Sequence, residues 1–352
     1  MVVVEKGVVG YEASSRNGGV TDNRASELPV FPLATESLRI WPVLADEIGY
    51  PTEFYSESLG VSVDEEQFEM AKKTRHTMEK RSGIESQILD AQTVREMLPL
   101  TGDNVVGGFL SPSSGHANPQ RTVQAYAWGA QDHGARIYQH TRVTGFTVDG
   151  QKVTAVETDR GHIEADVVVC AAGPQTAILA EMVGASIPVS PGRVEIIITA
   201  PVERMFEGAV GGNGLYGRQT VRGNLAFGGG PHEWVVVENQ TPIKPNTPLV
   251  RNLAARLVGL FANANDVPII RSWAGVVEQT PDYLPIFDFL ESPENFLVAT
   301  ASAHGFGLSP ATGKVISELV MHGETTVDIS GLSLGRFTNV KPDWRESRNW
   351  IP

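Results

Sequence analysis

The chain has 352 residues, enough for two domains and a large core, and 41% of them are hydrophobic, an ordinary share for a globular protein. A formal net charge of -13 leaves no basic face for broad contact with nucleic acid or an anionic membrane, and no apolar run approaches the roughly 20 residues of a membrane helix. The single cysteine, Cys170, excludes an internal disulfide and a cysteine-rich metal site, so no metal is expected and the setting reads as cytoplasmic.

Met1 to Val4 reads as a buried parallel strand ending in an acid, Glu5, followed by Lys6 and a turn at Gly7. No basic segment of the kind that opens a secretory signal precedes it. In a dinucleotide-binding unit the acid ending the second strand bonds the ribose hydroxyls and follows the glycine fingerprint by about 20 residues. Only four residues precede Glu5, so the first strand, the glycine turn and the first helix of such a unit are expected to be missing. An ordinary strand-end carboxylate is the other reading of Glu5. The run Gly10-Tyr-Glu-Ala-Ser14-Ser15-Arg16-Asn17-Gly18-Gly19-Val20 suits a loop whose backbone packs on a ligand, with Arg16 able to neutralise phosphate; a solvated loop is the alternative.

Leu33 to Ile48 predicts a helix, Phe54 to Val63 strands, Asp64 the cap of a charged helix to about Arg81, and Ala91 to Leu98 a short helix. Gly107 to Pro119 is a glycine- and serine-rich phrase holding His116, and Asn118-Pro119 opens a helix to about Gly134. A meander follows, with turns at Asp149-Gly150 and Arg160-Gly161, then a buried strand from Ile163 to Ala172 ending at Gly173-Pro174. Cys170 reads as core on that strand.

From Ile187 to Arg271 the pattern becomes antiparallel strands, with a helix capped at Thr247-Pro248. Tyr216 and Arg218, two apart on a strand, point to one face. A guanidinium there suits a carboxylate, or else a surface ion pair; Arg193, Arg222 and His232 are weaker candidates. Near the end, Phe296 to Ala299 predicts a buried strand and Val315, Ile316, Leu319 and Val320 a helix, so the glycine-rich stretch between them is a strand-to-helix turn. Ser309 is placed as its N-cap and Pro310 as its first residue, and the helix N-terminus would stabilise an anion.

The phrase Ala303-His304-Gly305-Phe306-Gly307-Leu308-Ser309-Pro310 resembles the C-terminal flavin-binding segment of the D-amino-acid oxidase family, which includes glycine oxidase, sarcosine oxidase and related amine dehydrogenases. Further likeness lies in the Ser14-to-Gly19 loop, in Val143, in Asp166 to Pro174 and in Arg271 to Ile286. The resemblance implies an α/β fold in which a Rossmann-like FAD-binding domain, incomplete at its N-terminus, carries an inserted antiparallel-sheet substrate domain. The expected boundaries are 1–52, 104–188 and 283–352 for FAD, and 53–103 and 189–282 for substrate.

It also implies FAD contacts from Glu5, Lys6, Ser14, Arg16, Asn17, Gly18, Gly19, Val143, Ala172, Gly173, His304, Gly305, Phe306, Gly307 and Leu308. Members that tether flavin through cysteine carry it where Gly275 stands, so FAD is expected to be non-covalent. The implied reaction is oxidation of an amino acid or secondary amine by hydride transfer to flavin N5, giving an imine that hydrolyses. Arg218 and Tyr216 are expected to bind substrate, with His304, Tyr216 and His116 as catalytic candidates. A partner subunit or oxygen would accept the electrons, the stretch Gly214 to Gly223 resembling flavin subunits of multi-subunit dehydrogenases. A simple oxygen-using oxidase and a non-catalytic subunit without flavin are the competing expectations.

Overall fold

The computed structural model describes all residues except 23–27, 83–85, 238–242, 348–349 and 351–352. A nine-stranded sheet dominates it; along its main path the strands run Ile269–Gln279, Ser190–Pro201, Asn224–Trp234, Leu215–Gln219, Ala209–Gly212, Tyr55–Ser62, Gly107–His116 and Val20–Thr21. Gln87–Asp90 pairs with Gly107–His116 off that path. All pairings are antiparallel save that of Ala209–Gly212 with Tyr55–Ser62.

One face of this sheet is apolar. Leu59, Val61, Ile197, Leu215, Leu225 and Phe227 pack there with Leu253, Leu257 and Leu260 of the helix Thr247–Leu260, in which Leu249 is also buried. The helix forms because Asn246 caps it, its side chain accepting from Leu249 N–H, and because leucines recur at spacings of three and four. Each fully buried leucine contributes about 2 kcal/mol. The expected cap, Thr247, is the first helical residue instead, since the asparagine before it supplies the acceptor.

Two smaller sheets carry parallel pairs. Val2–Val4 runs beside Arg136–Tyr138, and Val168–Cys170 beside Phe296–Thr300, which also pairs antiparallel with Ile286–Phe289. The expected strand from Ile163 to Ala172 is two strands in different sheets, Gly161–Glu164 and Val168–Cys170. The chain leaves one sheet for the other at Ala165-Asp166, where Asn295 Nδ2 donates to Asp166 O (2.8 Å). Cys170 is buried in the core, as expected.

The helix expected from Leu33 to Ile48 is broken. Phe31–Ile40 and Leu44–Ile48 are separate, because Pro42 supplies no N–H at the junction. Phe31–Ile40 packs on the last helix, Gly305–His322, through Leu33, Ala34, Leu308, Ala311 and Val315. That helix starts at Gly305, more than a turn before the expected Ser309 cap, and Pro310 lies inside it. Ser309 Oγ sits 3.3 Å from the Tyr126 hydroxyl instead of capping. Among the described residues no helix is long and apolar enough to cross a membrane.

Candidate active site

The face of the large sheet opposite the leucine core carries the polar residues. On Leu215–Gln219, Leu215 joins the core while Tyr216 and Arg218 face the other way, as a period of two requires. The Asn17-Gly18-Gly19 loop lies across that face. A side chain at Gly18 would meet the Tyr216 ring at 3.2 Å, and one at Gly19 would strike Ala117 O and stand 2.5 Å from Arg218 Nη1. Gly19 also has φ +78°, a conformation L side chains rarely adopt. Arg218 Nη1 donates to Gly18 O, Ala117 N–H donates to Gly19 O (2.9 Å), and Asn17 Oδ1 accepts from Gly19 N–H (2.8 Å).

Beside this loop is a cavity of about 180 Å³ lined in part by Asn17, Tyr55, His116, Arg218 and Trp273. Arg218 keeps some surface toward the cavity, yet enough protein surrounds it that burial lowers its pKa to about 10. Among the described residues no carboxylate lies within ion-pair distance of it. Glu53, the acid that acts on it electrostatically, is taken by Arg121 and by Asn118 Nδ2 (2.8 Å). His116 is 4% exposed, and burial with the Arg218 charge lowers its pKa to about 4. The cavity thus presents a neutral imidazole and a cation that, among the described residues, uses one of its five N–H donors.

The last helix begins next to the same loop. A side chain at Gly307 would meet Val20 O at 3.3 Å, and Trp41 Nε1 donates to Gly307 O (2.8 Å) while its ring stacks on Phe54 and lies 5.3 Å from Phe306. Leu308 is buried and its N–H donates to His304 O (3.2 Å), with His304 at the N-cap position. The two residues before it, Ser302 and Ala303, are left-handed at φ 47° and 67°, a strained pair held by Thr280, whose Oγ1 is 2.9 Å from Ser302 Oγ. The Glu278 carboxyl accepts from Ala301 N–H (2.9 Å) and stands 3.5 Å from where a Gly173 side chain would begin; burial raises its pKa.

The other expected cofactor residues lie along a path from this point. Glu5 accepts from Gly7 N–H (2.7 Å), and Glu5 O accepts from Thr141 N–H two residues before Val143. The Gln175 amide orientation that satisfies both its ends accepts from Lys6 Nζ (3.1 Å) and donates to Ala172 O (3.2 Å), which ties Lys6 to the Ala172-Gly173 turn. Ser14 lies in a one-turn helix, Ala13–Arg16, where its carbonyl accepts from Asn17 Nδ2 (2.9 Å). Arg16 donates to Ala274 O (3.1 Å) and covers the Tyr11 ring, which fix its position.

Sequence reasoning passed over Trp273, whose Nε1 donates to Arg16 O (2.8 Å) and whose ring lines the cavity, and Glu278. Both stood in the Arg271-to-Ile286 phrase. Of the weaker candidates, Arg193 is paired with Glu233 (2.6 Å), away from the cavity lining. Among the described residues no group of three or more His, Cys, Asp or Glu could hold a metal ion.

The family model described as FAD dependent oxidoreductase matches residues 1–319. The chain belongs to this family. Sarcosine oxidase subunit beta of Arthrobacter sp is 26% identical over 347 residues, covering 96% of this chain and 84% of that protein. Glycine oxidase of Geobacillus kaustophilus is 28% identical over 354 residues, covering 96% and 90%, and its crystal structure superposes with a TM-score of 0.85 at 26% identity over 95% of this chain and 91% of that one. The L-proline dehydrogenase structure from P. horikoshii superposes with a TM-score of 0.81 at 22% identity, covering 100% and 98%, and so supports the fold.

FAD is the cofactor of this oxidoreductase family, and the residues present fit it. Gly18 and Gly19 press close on the sheet, where a side chain at Gly19 would collide and one at Gly18 would crowd the Tyr216 ring, so the loop offers a largely backbone surface. Beside it, the first amides of the Gly305–His322 helix stand at a terminus that favours negative charge.

Proposed function

We propose that this FAD-dependent oxidoreductase oxidises a small amino acid or secondary amine whose carboxylate is held by Arg218. The observation that carries this reading is the Arg218 guanidinium itself: enclosed, without a carboxylate partner among the described residues, and lining a cavity of amino-acid size. A desolvated cation of this kind recruits an anion, and a planar fork matches a carboxylate with two parallel hydrogen bonds. FAD, when bound, supplies the electron sink for the hydride leaving the substrate carbon.

The chain's own residues hold and orient. Asn17, Gly18, Gly19, Ala172, Gly173 and Gly305 to Leu308 would hold the cofactor, with Glu5, Lys6, Ser14, Arg16 and Val143 serving its nucleotide portion. Trp273 walls the cavity, whereas Tyr216 packs on Gly18 and is not among the cavity's lining residues. The amine arrives neutral in this reading, so no general base is required, and His304, at the N-cap of the last helix, positions that terminus. Kinship with a protein named as a subunit of sarcosine oxidase favours assembly with a partner subunit.

The test is flavin bleaching. FAD-loaded protein mixed anaerobically with a panel of amino acids and N-methyl amino acids is expected to lose its visible absorbance with carboxylate-bearing amines only. Bleaching by amines that lack the carboxylate, to the same extent, would overturn the role of Arg218. Oxygen uptake by the reduced protein then separates an oxidase from a dehydrogenase that needs a partner.

A further inference from the structure

The short connection between the strands Ser190–Pro201 and Ala209–Gly212 brings a second guanidinium to the cavity, that of Arg204. Its backbone is anchored on both sides. Gln219, next to Arg218, donates through Nε2 to Glu203 O (2.8 Å) and accepts through Oε1 from Met205 N–H (2.9 Å), while Phe206 is buried in the leucine core. His116 Nε2 donates to Glu207 O (2.7 Å), the polarity that a carbonyl imposes. Arg204 therefore stands in a fixed place near Arg218, but its side chain is 42% exposed, which puts it at the rim of the cavity.

Four charged side chains line this cavity: Arg204, Arg218, Glu53 and Glu207. The acids are largely occupied, Glu53 by Arg121 and Asn118 Nδ2 and Glu207 by Arg204 Nη2 (2.8 Å). The guanidinia are not: among the described residues each uses one of its five N–H donors. The Arg204–Glu207 pair lies in water, its acid 66% exposed, and a pair of that kind holds its partners weakly. The unspent capacity is thus mostly that of two cations, one inside and one at the mouth.

We propose that the substrate carries two carboxylates, one held by Arg218 and the second, at the far end of the molecule, by Arg204. This rests on the reading of the Arg218 cavity as the substrate site and names the class within it: amino acids or secondary amines with an acidic substituent. Arg204 is then a specificity-determining residue. It rewards a distal carboxylate with a charge-assisted hydrogen bond, gives a neutral carboxamide of the same shape less, and repels a distal cation.

The experiment compares isosteric pairs, aspartate with asparagine and glutamate with glutamine, in both hands and as primary and N-methyl amines. Each is titrated anaerobically into the FAD-loaded protein, and the concentration giving half the change in the flavin spectrum, by perturbation or bleaching, is read. At least one acid is expected to act at about tenfold lower concentration than its amide. Arg204→Gln should bring that ratio to about 1 by weakening the acid, and Arg204→Lys should keep part of it. Glu207→Gln removes the competing carboxylate and should raise the ratio. Equal values for every acid and its amide in the unaltered protein overturn the proposal, as does a ratio that survives Arg204→Gln. Should Arg204→Gln melt lower than the parent, the unaltered protein's ratio and Glu207→Gln decide. A response to alanine or N-methylalanine with none to the acids removes Arg204 and leaves the Arg218 reading standing. If no amino acid changes the spectrum, the Arg218 reading falls and this proposal with it.

Discussion

Two arginines of the large sheet point in opposite directions, chemically as well as spatially. Arg193 is paired with Glu233 at 2.6 Å and has Glu195 at 3.9 Å, while Asn246 ties both acids to the start of the Thr247–Leu260 helix. Arg218, on a neighbouring part of the same sheet, has one backbone carbonyl and a cavity. A fold that supplies two carboxylates to one guanidinium and, among the described residues, none to another has not run short of acids, since the chain carries 41 of them. The difference marks Arg193 as part of the scaffold and supports the proposal that Arg218 takes its counter-ion from outside.

The largest effect that would break this contrast is on turnover. Arg218→Met should lower kcat/KM for a carboxylate-bearing amine by roughly 100- to 1000-fold, the loss of about 3–4 kcal/mol of charge-assisted binding in the transition state. The same variant should melt no lower than the parent, because an apolar side chain replaces an uncompensated enclosed cation. Steady-state kinetics and a thermal melt on one preparation check both halves; an unchanged kcat/KM would remove Arg218 from the site.

Arg193→Met should do the reverse. It strands Glu233 and the fully buried Glu195, so a destabilisation of about 2–4 kcal/mol is expected in denaturant titration, with kcat/KM per folded molecule little altered. A variant as stable as the parent would show that the three charges do not act as a unit.

Much of this arrangement was legible in the sequence, and the parts that were not share a cause. Alternation placed Tyr216 and Arg218 on one face, and the glycine-rich phrases at 14–19 and 303–308 were marked as backbone surfaces, since these depend on local geometry. The strand Gly107–His116, next to the end strand Val20–Thr21 of the large sheet, is only a glycine- and serine-rich phrase in the sequence. Its glycines and serines look like loop chemistry, but Gly108 and Gly115 are small because the neighbouring strand leaves no room, a side chain at either meeting the backbone at Gly60 or Tyr55. Burial of Glu278 beside Gly173, and the pairing of Arg193 but not Arg218, are products of tertiary contact between segments more than 30 residues apart, and nothing in the spacing announces them. The helix start at Gly305 was missed for a subtler reason: Ser309-Pro310 carries a good capping signal, but Trp41 and Phe306 fix the terminus a turn earlier.

The smallest effect is also the one with a definite pH signature. Glu195 is 1% exposed, and burial raises its pKa from 4.5 to about 7 despite Arg193 and the Asn246 N–H. A carboxyl that holds its proton more tightly when folded contributes stability that is fully present below pH 4.5 and is lost as pH rises through about 7. Glu195→Gln keeps the acceptor for Asn246 N–H and cannot ionise. It should therefore be more stable than the parent at pH 8, by on the order of 1–3 kcal/mol, and lose that advantage by about pH 5. Melting temperatures of the two proteins across that range supply the measurement. Parallel curves would mean that Arg193 keeps Glu195 ionised, and the scaffold arginine would then be balanced by two charges, which widens its contrast with Arg218.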